Sequence, residues 1–300
     1  MNTSIRNLLI TLLLVSTASM ASAQSLVYES FTFVAPNTGA VEGNTADTGL
    51  GVWDNTGNVQ APGSDLSFGS LQTSGSSATT AGLWGRLRAP ITADMSSLLV
   101  DGGEMWFSLR LAKADAAGAR LGIAIGDSAL ETNGVLFDEN TTAGANEQAI
   151  GGFLSRNSGV FHSLIWDTNT ESINNLQSTS PSETTASTIS LNALNNFSVL
   201  IVGHAQWGAD GASNDILTLY SLSASDLTTT GSVMAVSEGI VSQDSFDTLS
   251  FVTGSNAGGT AYYDELRIGA SFADVVPVPE PSAFLLLALA AFGLSLRRRR

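Results

Sequence analysis

From Glu104 to Leu111 the chain alternates strictly. Met105, Phe107, Leu109 and Leu111 fall on one face, and Glu104, Trp106, Ser108 and Arg110 on the other. A period of two is the signature of a half-buried β-strand and does not fit an α-helix, whose side chains recur at about 3.6 residues. Leu121, Ile123 and Ile125 repeat the pattern, interleaved with Gly122 and Ala124. Further strand candidates lie at 26–33, 66–71, 83–88, 149–155, 160–166, 197–204, 215–222, 246–252 and 261–268. The segments 36–65, 72–82, 127–148 and 167–190 between them are mostly polar and read as loops. No long stretch has helical periodicity, and no repeat of solenoid or propeller length is present. Many short strands with few helices predict an all-β, antiparallel two-sheet sandwich.

The interior of such a fold must come from packing alone. The 300 residues include no cysteine, so neither disulfides nor thiolate-bound metals stabilise it. The chain carries 27 acidic and 12 basic residues, a formal net charge of −15. Arg6 and Arg297–Arg300 lie at the two ends, so the middle is more acidic still. That balance makes nucleic acid and anionic membrane poor partners for the middle region. Divalent cations, neutral glycans or plain solubility fit it better.

The two ends read as addresses. Arg6 begins a basic n-region, Leu8–Val15 form a largely apolar h-region, and Ala21, Ser22 and Ala23 make a small-x-small cleavage site before Gln24. Residues 1–23 are therefore expected to be a signal peptide and 24–276 the exported domain. At the other end, Pro279 and Pro281 remove backbone donors and bias the residues before them towards extended chain. Ser282 can then cap a helix over 283–296. From Ser282 to Leu296 such a helix spans roughly 22 Å, short of a hydrocarbon core of about 30 Å. Arg297, Arg298, Arg299 and Arg300 can snorkel to extend it and belong on the cytoplasmic side. The expectation is one marginal transmembrane helix, inserted N-out and C-in.

Pro279, Glu280 and Pro281, followed by an apolar segment and an arginine cluster, resemble the PEP-CTERM sorting signal of Gram-negative, exopolysaccharide-producing bacteria. The resemblance covers 277–300. It implies recognition by an exosortase, a membrane-embedded, transpeptidase-like cysteine protease that cuts near the motif. Gram-positive sortase substrates share the layout, but their Leu-Pro-x-Thr-Gly motif is missing here. A terminal arginine block also argues against a lipid-anchor signal of the GPI type.

The middle region carries a more diffuse resemblance. The run Ala261, Tyr262, Tyr263, Asp264, Glu265, Leu266, Arg267, Ile268 and the following 270–276 look like the close of a concanavalin A-like, or laminin G-like, jelly roll. Leu26–Phe31 with Trp53 and Asp54 soon after, and Asn214–Tyr220 before Ser223, fit its earlier parts. The resemblance implies two stacked antiparallel sheets and, in the wider superfamily, carbohydrate binding. Fold alone does not establish function.

Retaining glucanases of that superfamily set two glutamates around an aspartate on one strand face, and no such triplet occurs here. Asp264 and Glu265 are adjacent, so a regular strand would point them to opposite faces. The pair Asp138 and Glu139 sits in an expected loop. Gly126, Asp127, Ser128, Ala129 and Leu130 superficially match an esterase block, but no Asp-x-x-His follows near the C-terminus, and a strand-end turn accounts for them. His162 and His204 lie in separate strand candidates and read as structural histidines, with a shared metal site as the alternative. Asp210, Asn214 and Asp215 form the candidate calcium cluster, with Asp54 and Asp65 as a second; acidic solvated loops are the plain alternative. Trp207, in a Gly-rich turn, is the candidate for sugar stacking, while core packing is expected of Trp84 and Trp166.

These readings converge on an exported, non-enzymatic surface or matrix protein, with calcium as the candidate cofactor and extracellular polysaccharide as the candidate ligand. An exosortase-like membrane protease is the expected processing partner. An inner-membrane intermediate is expected to precede the envelope surface or extracellular matrix. The alternatives are a surface carbohydrate-active hydrolase with a dispersed site and a purely structural biofilm component.

Overall fold

The computed structural model describes residues 25–31, 41–55, 59–60, 66–81, 85–113, 119–130, 148–154, 161–166, 183–185, 197–209, 214–255 and 260–277. The signal-peptide residues Ala21, Ala23 and Gln24, the motif residues Pro279, Glu280 and Pro281, the segment 283–296 and Arg297–Arg300 lie outside the described residues. Among the described residues no helix is long and apolar enough to cross a membrane.

Fifteen strands, all paired antiparallel, form two sheets. The larger has the order β10 (Glu183–Thr185), β13 (Ser232–Gly239), β12 (Asp215–Leu222), β11 (Phe197–Gln206), β6 (Glu104–Lys113), β15 (Thr260–Gly269), β4 (Ala78–Ala81), β3 (Val59–Gln60), with β1 (Val27–Glu29) also on β15. The smaller has the order β2 (Asp54–Asn55), β5 (Gly85–Pro90), β14 (Thr248–Ser255), β7 (Ala119–Gly126), β8 (Ala149–Leu154), β9 (Phe161–Trp166). The chain crosses between sheets at β5–β6–β7 and again at β13–β14–β15, the interleaving expected of a jelly-roll sandwich.

The alternation in β6 builds the core as the sequence requires. Met105, Phe107, Leu109 and Leu111 are all essentially buried and face Leu87, Ile123, Ile125, Ile150, Leu249 and Phe251 of the smaller sheet within one cluster. Phe31, Trp53, Phe251 and Tyr263 fill one end, with neighbouring ring centroids 4.9–6.1 Å apart. Gly203 lies opposite Phe107 across β11 and β6, where the aromatic ring occupies the space a side chain would need.

Three local expectations change. Residues 66–71 are not a strand. β4 lies within the expected loop at 72–82, and β13 is an additional strand. The third concerns β15, where Glu265 has φ +52° and the register with β6 shifts between Asp264 and Arg267. This bulge breaks the alternation, so the expectation that Asp264 and Glu265 point to opposite faces fails.

Candidate functional site

The outer face of the larger sheet is the surface that an open sandwich offers to a ligand, and half of it is covered by the chain itself. Ser108 and Arg110 of β6, and Leu200 and Val202 of β11, point outward yet are 0–2% exposed. A strap from Leu66 to Ser77 crosses over them. Phe68 and Leu71 of the strap join Trp106, Leu200, Val202, Leu222, Leu227, Val275 and Val276 in a second apolar cluster. A one-turn helix, α1 (Phe272–Val275), and the residues after it close the flank above β15 and β6.

Buried charges hold the strap by its backbone. Asp264 accepts from Leu66 N at 2.8 Å, and Glu265 accepts from Ser74 N at 2.7 Å and from the Tyr28 hydroxyl at 3.1 Å. Arg267 pairs with Glu265, donates to Gln72 O at 2.7 Å and stacks on the Tyr28 ring at 4.5 Å. Arg110 donates to Ser67 O at 3.3 Å and to the Ser198 hydroxyl, and lies 4.1 Å over the Phe68 ring. Burial lowers the Arg110 guanidinium to about 10, and the Asp264 carboxylate opposes that shift. Both bulge carboxylates therefore face outward and are committed to the strap. They hold main chain in place, and no substrate reaches them.

Past the strap the face opens. Along β11, burial gives way from Val202 to a half-buried His204 and an exposed Gln206. Opposite lie Trp106 and Glu104 of β6, and beyond them Thr218 and Ile216 of β12, with Val236 and Glu238 of β13. His204 Nε2 meets Glu104 Oε2 at 2.7 Å. The His204 ring stacks on Trp106 with centroids 3.9 Å apart and planes at 10°. Tyr220 is nearly parallel to Trp106 at 6.4 Å, and Phe272 meets it edge-on at 5.9 Å. Asn214 Nδ2 donates to Glu238 Oε2 at 3.3 Å. The result is a polar strip with an acidic rim, blocked on one side by the strap and on another by α1. Sequence reasoning named His204 only as structural and Glu104 not at all. Their pairing comes from strand register, which no local pattern displays.

The candidate stacking residue is corrected. Trp207 is 4% exposed, donates its indole N–H to Leu98 O at 2.6 Å and packs edge-on against Phe246 at 5.9 Å. Its Gly-rich turn folds inward because the Trp207 N–H also bonds Gly103 O at 3.0 Å. Trp84 and the side chain of Trp166 lie outside the described residues.

The candidate calcium cluster is not assembled by what can be described. Asp215 is buried, and its two oxygens accept from Gly208 N at 2.9 Å and Val241 N at 2.8 Å. Burial raises its pKa, and the two N–H groups oppose the rise. Asn214 turns to Glu238, and Asp210 lies outside the described residues. In the second cluster Asp54 pairs with Arg88 at 2.9 Å, and Asp65 lies outside the described residues. Among the described residues no three His, Asp or Glu side chains are grouped to hold a metal ion. Gly126–Leu130 is a strand-end turn in which Asp247 caps Ser128 through its N–H and hydroxyl, at 2.8 and 2.7 Å.

The chain leaves the sandwich at Pro277. Val275 and Val276 are 0% and 3% exposed, and beyond them the sequence turns from domain to tail. The tail residues decide what that exit leads to. Residues 277–300 match the PEP-CTERM protein-sorting motif. A PEP-CTERM motif marks export and membrane-associated processing. No curated protein matches the chain by sequence. Among solved structures, the chain is similar to the PL-14 alginate lyase of Aplysia kurodai (12% identity, covering 83% of this chain and 100% of that one, TM-score 0.47). It is also similar to the β-glucanase of Bacillus licheniformis (11%, 83% and 99%, 0.41) and to a legume lectin-like domain of Entamoeba histolytica (13%, 73% and 90%, 0.37).

Proposed function

We propose that this protein is an exported β-sandwich delivered to the cell envelope surface or extracellular matrix by exosortase-type processing of its PEP-CTERM tail. In this reading residues 1–23 are a signal peptide and 24–276 the exported domain. Residues 283–296, with Arg297–Arg300 held in the cytoplasm, form a transient anchor. Pro279, Glu280 and Pro281 are what the protease recognises. The observation that carries the reading is the sorting motif at 277–300, directly after the last buried residues of the fold. The test is a triple alanine change at Pro279, Glu280 and Pro281 in a host that carries an exosortase. The altered protein is expected to stay in the membrane fraction at unprocessed size. Normal release would refute the reading.

At the surface the protein acts as a binding module for neutral or amino-substituted glycans, taken by the open strip of Glu104, His204, Gln206 and Thr218. Its acidic rim and the net charge of −15 disfavour polyanionic sugars. Glu104 and Glu238 stand three strand spacings apart, roughly 14 Å, beyond either separation a two-carboxylate glycosidase uses. One contact favours the alternative of a hydrolase with a dispersed site. Glu104 orients His204 at 2.7 Å, as a carboxylate orients a general base. A glycan array and chromogenic glycosides separate the two. Saturable binding without turnover, weakened in Gln206→Ala, supports the binding module. Turnover abolished by His204→Ala supports the hydrolase, and a purely structural component would give neither.

A further inference from the structure

The join between sandwich and sorting motif has no slack. Ser271 caps α1, accepting from Asp274 N at 3.3 Å and donating to Asp274 Oδ2 at 2.8 Å. Val275 and Val276 are buried, Ser108 donates its hydroxyl to Val275 O at 2.6 Å, and Val276 N closes the turn on Phe272 O at 3.0 Å. Gln72 of the strap donates to Pro277 O at 3.1 Å. The N-terminal end is pinned to the same place, because Ser25 donates to Asp274 O at 2.6 Å and Leu26 N to Ile268 O at 2.8 Å. Pro277 is also where the sorting motif begins, so Pro279 is at most about 7 Å of extended chain from a residue hydrogen-bonded into the fold.

A protease binds several residues of its substrate as extended chain on both sides of the scissile bond. Residues 271–277 are instead folded against β6, β15 and the strap, with their apolar side chains buried and their backbone groups bonded. They cannot enter a cleft while they remain there. We infer that the clamp Ser271–Pro277 is a brake on processing: the exosortase-type cleavage proposed above proceeds only when this segment peels from the outer face of the larger sheet. The inference rests on that sorting reading. It makes release a report on the local stability of the sheet edge. Both ends of the exported domain meet there, so a domain with an unfinished edge differs from a finished one at the very segment the protease must take up.

The experiment inserts six Gly and Ser residues between Pro277 and Val278 of the full-length chain and follows processing by pulse-chase in an exosortase-bearing host. The insertion lies past the last described hydrogen bond, and an unchanged melting temperature verifies that the sandwich is intact. Peeling a buried segment costs more than the roughly 1.4 kcal/mol that a factor of ten represents, so the insertion is expected to shorten the processing half-time about tenfold or more. Val276→Ala, which loosens the clamp without lengthening the chain, is expected to shorten it in the same direction. An insertion that leaves the half-time unchanged or lengthens it overturns the brake while the sorting reading stands. Failure of the motif's triple alanine change to block processing overturns the sorting reading and the brake with it.

Discussion

Gln72 donates its backbone N–H to the carbonyl of Pro277 at 3.1 Å, so the strap that crosses the larger sheet is tied to the residue at which the sorting motif begins. The strap is in turn held by Asp264, Glu265, Arg110 and Arg267. One buried charge network thus braces both the covered half of the outer face and the exit of the chain.

Breaking that network should be costly. Arg267→Met leaves Glu265, fully buried, without its cation and frees the carbonyl of Gln72. Removing one partner of a buried pair costs about 3–5 kcal/mol. Chemical denaturation should show a loss of that size, together with faster proteolysis within 66–77 as the strap loosens.

Trp207→Ala separates packing from binding. The indole is buried, bonded to Leu98 O and wedged against Phe246. Truncation should cost about 3–5 kcal/mol of stability. At a temperature where the variant remains folded, glycan binding on the strip should match the wild type. Calorimetry paired with a binding assay checks both halves.

Gly203→Ala adds a methyl where the Phe107 ring already lies. Overpacking of this kind costs about 1–3 kcal/mol. A drop in melting temperature without a change in strand content by circular dichroism is the expected result.

Glu29 makes stability pH-dependent. It is fully buried and accepts from Phe31 N at 2.5 Å and from the Trp53 indole at 2.9 Å. Burial, reinforced by the Asp47 charge, raises its pKa from 4.5 to about 7 against the pull of those N–H donors. The folded state therefore binds this proton more tightly than the unfolded chain does. Its contribution is fully present below pH 4.5 and is lost as pH rises to about 7, a change of about 3 kcal/mol. Denaturation curves across that window should show the slope in the wild type, and Glu29→Gln should remove it whatever its effect on overall stability.

The fold was legible wherever side chains alternate. β6, β7, β8, β12 and β15 stand close to where period-two patterns put them, because one buried face per strand leaves the same mark in any sequence. The strap was not legible. Leu66, Phe68 and Leu71 mimic a strand, yet the backbone donors of Leu66 and Ser74 are satisfied by carboxylates from about 190 residues away in the chain. The bulge at Glu265 was hidden for a related reason, since a positive φ at a glutamate has no compositional mark. Trp207 misled because a Gly-rich turn usually faces solvent, whereas this one folds its aromatic ring beneath residues 98–103. The pairing of Glu104 with His204 depends on two strands meeting in one register.

The most direct test of the account is the intact mass of the protein recovered from the surface or medium of an exosortase-bearing host. The account predicts a species that begins at Gln24 and ends close to the Pro279–Pro281 motif, without the apolar segment or Arg297–Arg300. A released protein that still carries Arg297–Arg300 would contradict it.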